Sequence, residues 1–256
     1  MTKGMLRVGC LSFVAGSDVV ANAALIQRGI IAAAGAQVRV LLTPECALSG
    51  YPGAARADLH DLNRCALAER EEELLAAADR HGVALVLGTA TPDGTGGWTN
   101  DAAALNGRYR KRCLTPGDGA HFRSGSQAVC IVVDGWRLGL AICYDLRFPD
   151  VWTELARAEV DANLVLAHMA GHDPDPGTKA AVIPAFCAVR AAETATPLVF
   201  CNTAAADRWL DSGIWDGRGC CIASGGDGLL IAELTRRTQL APWYAGVRRD
   251  YLERAR

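Results

Sequence analysis

The strongest constraint in the chain is the order in which two kinds of hydrophobic pattern follow one another. Short β-rich apolar runs alternate with longer Ala-, Leu- and Arg-rich segments whose apolar residues recur near 3.6. Strands are predicted at 6–14, 37–42 and 83–90, separated by helices at 19–34 and 61–81. Ser17 or Asp18 can cap the first helix, and Gly82 can stop the second. The texture then changes, and 98–105, 107–114, 127–133 and 136–142 read as consecutive strands joined by Gly/Asp turns. Asp134-Gly135 marks the clearest hairpin, because that pair tolerates positive φ at both central positions. Alternation returns with helices at 149–158 and 183–195 and strands at 163–168, 198–202, 219–222 and 229–233. The last residues read as a loose arm. A chain that runs βαβ, then hairpins, then βαβ suggests an α/β fold with two helix-covered sheets and not one doubly wound sheet. With no Pro/Ser linker and no internal repeat, residues 1–256 read as a single domain.

Composition narrows the function. Half of the residues are apolar, and 26 basic side chains face 28 acidic ones. Without a basic excess there is little to displace counterions from phosphates, so nucleic acid is not an expected partner. No apolar stretch approaches the roughly 20 residues that span a bilayer. The N-terminal apolar run is broken by Arg7 and Gly9 and reads as a strand rather than a signal peptide, so the expected compartment is the cytoplasm. Ten scattered cysteines, without a CxxC pair, are expected to be reduced and mostly to serve as small apolar residues. Cys10, Cys130, Cys187 and Cys201 lie inside apolar runs and read as packing.

Three places carry chemistry. Cys143 follows the apolar run Leu138-Gly139-Leu140-Ala141-Ile142 and precedes Tyr144-Asp145-Leu146-Arg147-Phe148-Pro149-Asp150. A strand end leading into a helix exposes a side chain among backbone N–H groups, which lower a thiol pKa and can cradle an oxyanion. The alternative is a buried cysteine at a strand end. Glu45, in Thr43-Pro44-Glu45-Cys46, also closes an apolar run. It could act there as a general base, or serve as a turn cap. Lys111 stands out because only Lys3, Lys111 and Lys179 are lysines in an arginine-rich chain. Its compact ammonium suits a developing oxyanion, although a solvated basic strand is the plainer alternative. Cys46 and Cys113 are weaker nucleophile candidates.

Taken together, PECALSGYP at 44–52, YRKRCLTPGD at 109–118 and GLAICYDLRFPD at 139–150 resemble the nitrilase superfamily of carbon–nitrogen hydrolases. The stretch AVRAAETATPLVFCNTA at 188–204 resembles the family's helix–strand segment after the nucleophile. The resemblance implies a four-layer αββα sandwich with two mixed β-sheets, an enzyme without metal or organic cofactor, and a homodimer or higher homo-oligomer. It implies Glu45 as general base, Lys111 as cationic stabiliser and Cys143 as nucleophile. The backbone N–H of Tyr144 would join the oxyanion hole, and Asp118 would support Lys111. Arg147, His168 and Met169 are the candidates to touch substrate. The expected reaction is hydrolysis of a small linear carboxamide through a thioester. N-carbamoyl amines or nitriles are alternative substrates, and an amide-forming acyltransferase or a silent binding protein is more remote.

The chain also departs from the family pattern. Asp118 stands where many members carry a glutamate, Thr194 follows Glu193 where Asn is common, and LAHMAGHDPDP at 166–176 lacks the usual Trp-Pro texture. His168 and His172 have the i, i+4 spacing of helical zinc ligands, but they follow a strand and no third ligand accompanies them.

Overall fold

The computed structural model describes residues 4–171, 176–236 and 242–254. Among them are two six-stranded sheets. The first holds β1 (Met5–Ser12), β2 (Val40–Leu42), β3 (Ala84–Pro92), β4 (Trp98–Ala104), β5 (Gly107–Arg110) and β12 (Gly228–Thr235), in the order β12-β1-β2-β3-β4-β5. The second holds β6 (Cys130–Val133), β7 (Trp136–Ile142), β8 (Ala162–Leu166), β9 (Leu198–Cys201), β10 (Ser212–Trp215) and β11 (Cys221–Gly225), in the order β11-β10-β9-β8-β7-β6. The two share a plan. Strands β1, β2 and β3 are parallel, as are β7, β8 and β9, and every outer pairing is antiparallel. Parallel strands need a covering crossover, and α1 (Val19–Gly35), α2 (Arg64–Arg80), α4 (Pro149–Arg157) and α5 (Pro176–Thr194) supply it.

Strand pleating explains the layers. Successive side chains on a strand point to opposite faces. Val40 and Leu42 of β2 and Val86 of β3 join the cluster that includes Leu138, Leu140 and Leu164 of the second sheet. Leu41, Leu85 and Leu87 join the other cluster, with Ile26 and Ile30 of α1 and Leu67 and Leu74 of α2. Trp152 and Leu155 of α4 and Ile183 and Cys187 of α5 extend the packing of the second sheet. The layers run helix, sheet, sheet, helix, as expected. Each large aliphatic side chain buried in this way contributes about 1.5–3 kcal/mol. Polar contacts also cross between sheets: Ser12 and Ser212 share a 2.6 Å hydroxyl hydrogen bond, and the Cys201 thiol donates to the Leu42 carbonyl at 3.5 Å.

Local signals hold where they are chemical. Asp18 caps α1 by accepting from the Val20 and Ala21 N–H groups, and Asn63 caps α2 by accepting from Ala66. Asp134 and Gly135 both have positive φ (50° and 77°) in the hairpin between β6 and β7. The differences come from tertiary context. The chain end is not a loose arm. It contains α6 (Pro242–Arg254), whose Arg248 guanidinium donates to the Glu193 and Thr194 carbonyls at 2.6 and 2.9 Å, closing the exposed end of α5. Helix α5 begins at Pro176 rather than near 183, which places Pro184 inside it. Strand β10 was not anticipated, because SGIW gains its extended form from pairing with both β9 and β11. Among the described residues no helix is long and apolar enough to cross a membrane.

Candidate active site

The chemistry-bearing residues leave the sheets at or just beyond strand ends. Beyond β2 the chain turns through Thr43 and Pro44 to Glu45, which is 1% exposed. The turn is locked: Gly88 N–H donates to the Thr43 hydroxyl at 2.9 Å, and Leu48 N–H donates to the Gly88 carbonyl at 3.0 Å. A methyl group at Gly88 would fall 2.0 Å from the Pro44 carbonyl oxygen, so this close approach requires glycine. Glu45 also bridges the sheets. Its N–H donates to the Ala167 carbonyl at 3.2 Å, and its Oε2 accepts the His168 N–H at 2.9 Å.

Lys111 follows β5 directly and is fully buried. Its Nζ donates to Glu45 Oε1 at 2.6 Å and to Asp118 Oδ2 at 2.8 Å. Burial alone would lower its pKa, but the charges of the Glu45 and Asp118 carboxylates hold it well above the ordinary lysine value. Asp118 lies in the short helix α3 (Pro116–Gly119), where a capping box with Thr115 fixes it. Its carboxylate also accepts from the Thr115 N–H and hydroxyl and from the Tyr51 phenol. Burial would raise its pKa, yet Lys111 and these donors hold it below the usual carboxylate value. The shorter aspartate therefore reaches Lys111.

Cys143 opens a 3₁₀ turn (Cys143–Arg147) at the end of β7, with φ of +49°. A left-handed residue between a strand and a helical turn is sterically uncommon, and such strain concentrates at functional sites. Burial and then the Glu45 charge raise the thiol pKa, against the lowering effects of Lys111 and of the His168 backbone N–H. The sulfur therefore lies within the electrostatic reach of Glu45, Lys111 and Asp118, and it rests as a thiol. Two carboxylates and one ammonium already leave the cavity with an excess negative charge, and a thiolate would add to it.

The remaining predicted residues divide. His168 joins the cluster: its backbone N–H binds Glu45, and its imidazole stacks on Tyr51 with centroids 4.5 Å apart and planes 6° apart. Burial pushes that imidazole down, towards its neutral form. Met169 is buried and clamped by its backbone, donating to Asn202 Oδ1 at 2.7 Å and accepting from the Trp209 N–H at 2.9 Å. Tyr144 follows Cys143 in the same turn, and its ring meets Phe148 edge-on at 5.2 Å. Arg147 lies at the far end of the turn, with its guanidinium 5.8 Å from the Tyr144 ring and 5.7 Å from that of Phe186. His172 lies outside the described residues, and among those described no cluster of three or more His, Cys, Asp or Glu is placed to hold a metal.

Sequence reasoning missed Asn100 and Tyr51. Asn100 Nδ2 donates to Glu45 Oε1 at 2.7 Å, and its carbonyl accepts the Lys111 N–H at 2.8 Å. Asn100 and its neighbour Asp101 are both fully buried on β4.

Comparison with known proteins shows the family and the fold. The sequence model of the carbon–nitrogen hydrolase family matches residues 14–242, and the chain belongs to that family. It is 31% identical over 166 residues to Hydrolase Rv0480c of Mycobacterium tuberculosis, covering 59% of this chain and 57% of that protein. It is 30% identical over 149 residues to an (R)-stereoselective amidase of a Pseudomonas species, covering 56% and 53%. The matches thus span little more than half the length of these relatives. In fold it resembles the amidase from Nesterenkonia sp., with a TM-score of 0.78, 24% identity, and coverage of 100% of this chain and 97% of that one. The two mixed sheets between helices are the αββα sandwich of the nitrilase superfamily.

Proposed function

We propose that the protein is a thiol amidohydrolase that cleaves the C–N bond of a small linear carboxamide through a thioester on Cys143. The observation that carries this reading is the convergence of Glu45, Lys111 and Asp118 through hydrogen bonds of 2.6 and 2.8 Å beside the sulfur of Cys143. Support also comes from the amidase named among its relatives. A further form of the Nesterenkonia amidase carries the acetamide moiety of fluoroacetamide on its active-site cysteine.

The chemistry follows from charge. At rest the cavity holds one ammonium, two carboxylates and a neutral thiol. When Cys143 attacks the amide carbon, its proton passes to Glu45, so the cavity's net charge is unchanged and the negative charge moves from the carboxylate to the former carbonyl oxygen. That oxyanion faces Lys111 Nζ and the Tyr144 backbone N–H. Preorganised donors of this kind are worth about 2.7–4 kcal/mol each. Protonated Glu45 then delivers its proton to the departing nitrogen, the C–N bond breaks, and ammonia or an amine leaves. Water attacks the thioester with Glu45 accepting a proton, and the second tetrahedral intermediate expels the sulfur, which takes that proton back from Glu45 as the carboxylic acid is released. Asp118 keeps the Lys111 ammonium charged and aimed, while His168 and Met169 wall the acyl side and Arg147 stands towards the rim. No step calls for a metal or organic cofactor. The working unit is proposed to be a homodimer, and the exposed apolar residues Trp243, Val247 and Tyr251, spaced by four along α6, agree with an oligomer.

The test is a panel of linear amides, N-carbamoyl amines and nitriles, read by ammonia release and intact-mass spectrometry. An acyl adduct that forms with an amide and is absent from Cys143→Ala supports the reading. Full activity in Cys143→Ala would overturn it.

A further inference from the structure

Asp145 belongs to none of the roles above, yet it is fully buried two residues beyond Cys143. Its Oδ2 accepts the Ile142 N–H at 2.9 Å and the Tyr109 phenol at 2.8 Å, and its Oδ1 accepts the Cys113 N–H at 2.8 Å. The partners are informative. Ile142 immediately precedes Cys143, and Tyr109 and Cys113 flank Lys111 by two residues on either side. One carboxylate thus joins the elbow of the second sheet to the strand end of the first that carries the cation. The mount is itself rigid: the Asp145 carbonyl accepts from the Trp152 indole at 3.2 Å, and the next carbonyl, of Leu146, accepts from Arg190 Nε at 3.1 Å.

We infer that Asp145 is a positioning residue that sets the Lys111 ammonium against the Cys143 sulfur. This rests on the thiol-hydrolase reading of the site. All three partners of the side chain can donate, so the position requires a group with acceptors only. Burial raises the carboxyl's pKa, while the Ile142 and Cys113 N–H groups, the Tyr109 phenol and the Lys111 charge oppose that rise. Asparagine has the same shape but carries an N–H₂ on one side. Facing Cys113 it opposes a backbone N–H, and facing Ile142 it does the same, so either orientation leaves a buried backbone donor unpaired. The elbow and the β5 end then separate, and a shift of about 1 Å in a reacting group costs on the order of 100-fold in rate.

The experiment compares wild type, Asp145→Asn, Tyr109→Phe and Cys143→Ala in amide turnover and in alkylation of Cys143 by iodoacetamide across pH. Asp145→Asn is expected to lose about 100-fold in kcat with KM changed less than about threefold. The pH midpoint of its alkylation should move up, because Lys111 no longer steadies the thiolate. Tyr109→Phe removes one hydroxyl and keeps both backbone bonds, so it should shift kcat and the midpoint in the same directions by less. A purely structural carboxylate would lower the melting temperature and leave kcat per alkylatable thiol and the alkylation profile at wild-type values, overturning the inference. A midpoint that moves down would also overturn it, since that is the effect of deleting a charge without moving Lys111. If Asp145→Asn fails to fold, Tyr109→Phe decides alone, and wild-type behaviour there refutes the role. Should Cys143→Ala keep its turnover, the hydrolase reading itself fails. With Cys143→Ala dead and the Asp145 and Tyr109 variants normal, only the positioning role fails.

Discussion

The two sheets have the same strand plan and make opposite contributions to one cavity. The first sends in charge: Glu45 beyond β2 and Lys111 beyond β5, 1% and 0% exposed. The second sends in backbone geometry: the left-handed Cys143 at the end of β7 and the His168 N–H beyond β8. Buried charges are held only when their partners saturate them, whereas a strained elbow is held by packing. The first side should therefore be costly to alter in both stability and chemistry, and the Cys143 side chain of the second in chemistry alone.

Lys111→Ala offers the sharpest test of that asymmetry. It leaves the Glu45 and Asp118 carboxylates buried without their ammonium, and removing one partner of a buried pair costs about 3–5 kcal/mol. Turnover should vanish and the urea midpoint should fall together. An inactive variant with wild-type stability would show that the first side is not held by charge.

Cys143→Ala tests the other side. Turnover and the acyl adduct should both disappear, while stability stays within about 1 kcal/mol, since the substitution deletes a single sulfur and no charge partner. A loss as large as that of Lys111→Ala would erase the distinction between the sheets.

The acid limb of the stability profile refines the charge side. Asp118 is held below its ordinary pKa, chiefly by Lys111 against the effect of burial. A group depressed in the folded state adds stability above its unfolded pKa, and that stability fades as pH falls through the folded value. Wild type should therefore lose, below about pH 4, a component of stability that Asp118→Asn lacks throughout. Denaturant titrations of the two proteins from neutral to acidic pH should converge. Parallel curves would mean that the Asp118 contact carries no ionic stabilisation.

What the sequence revealed follows the same division. Glu45, Lys111 and Cys143 were legible because each is a chemically distinctive residue at the edge of an apolar run, within a block that resembles a known family. The alternation of patterns exposed the two sheets. Asn100, Tyr51 and Asp145 were not legible, because their meaning lies in partners 55, 67 and 36 residues away along the chain. Helix α6 was hidden for a related reason. Its sequence reads as polar, and its place is fixed by Arg248 meeting the unpaired carbonyls of α5.

The smallest effect is expected where the two sheets touch away from the cavity. Cys201 on β9 is fully buried and donates its thiol to the Leu42 carbonyl of β2 across the interface. Cys201→Ala removes one heavy atom from a packed layer and one weak sulfur hydrogen bond, a loss of about 1 kcal/mol, comparable to deleting a buried methyl group. Glu45 lies three residues beyond Leu42 and is tied separately to Ala167 and His168, so turnover should stay at the wild-type level. A modest fall in the urea midpoint with unchanged kcat/KM would show that the cavity is insulated from the rest of the sheet interface. If kcat falls as well, the placement of Glu45 depends on interface packing beyond its own hydrogen bonds, and the separation between a charged side and a geometric side is too simple.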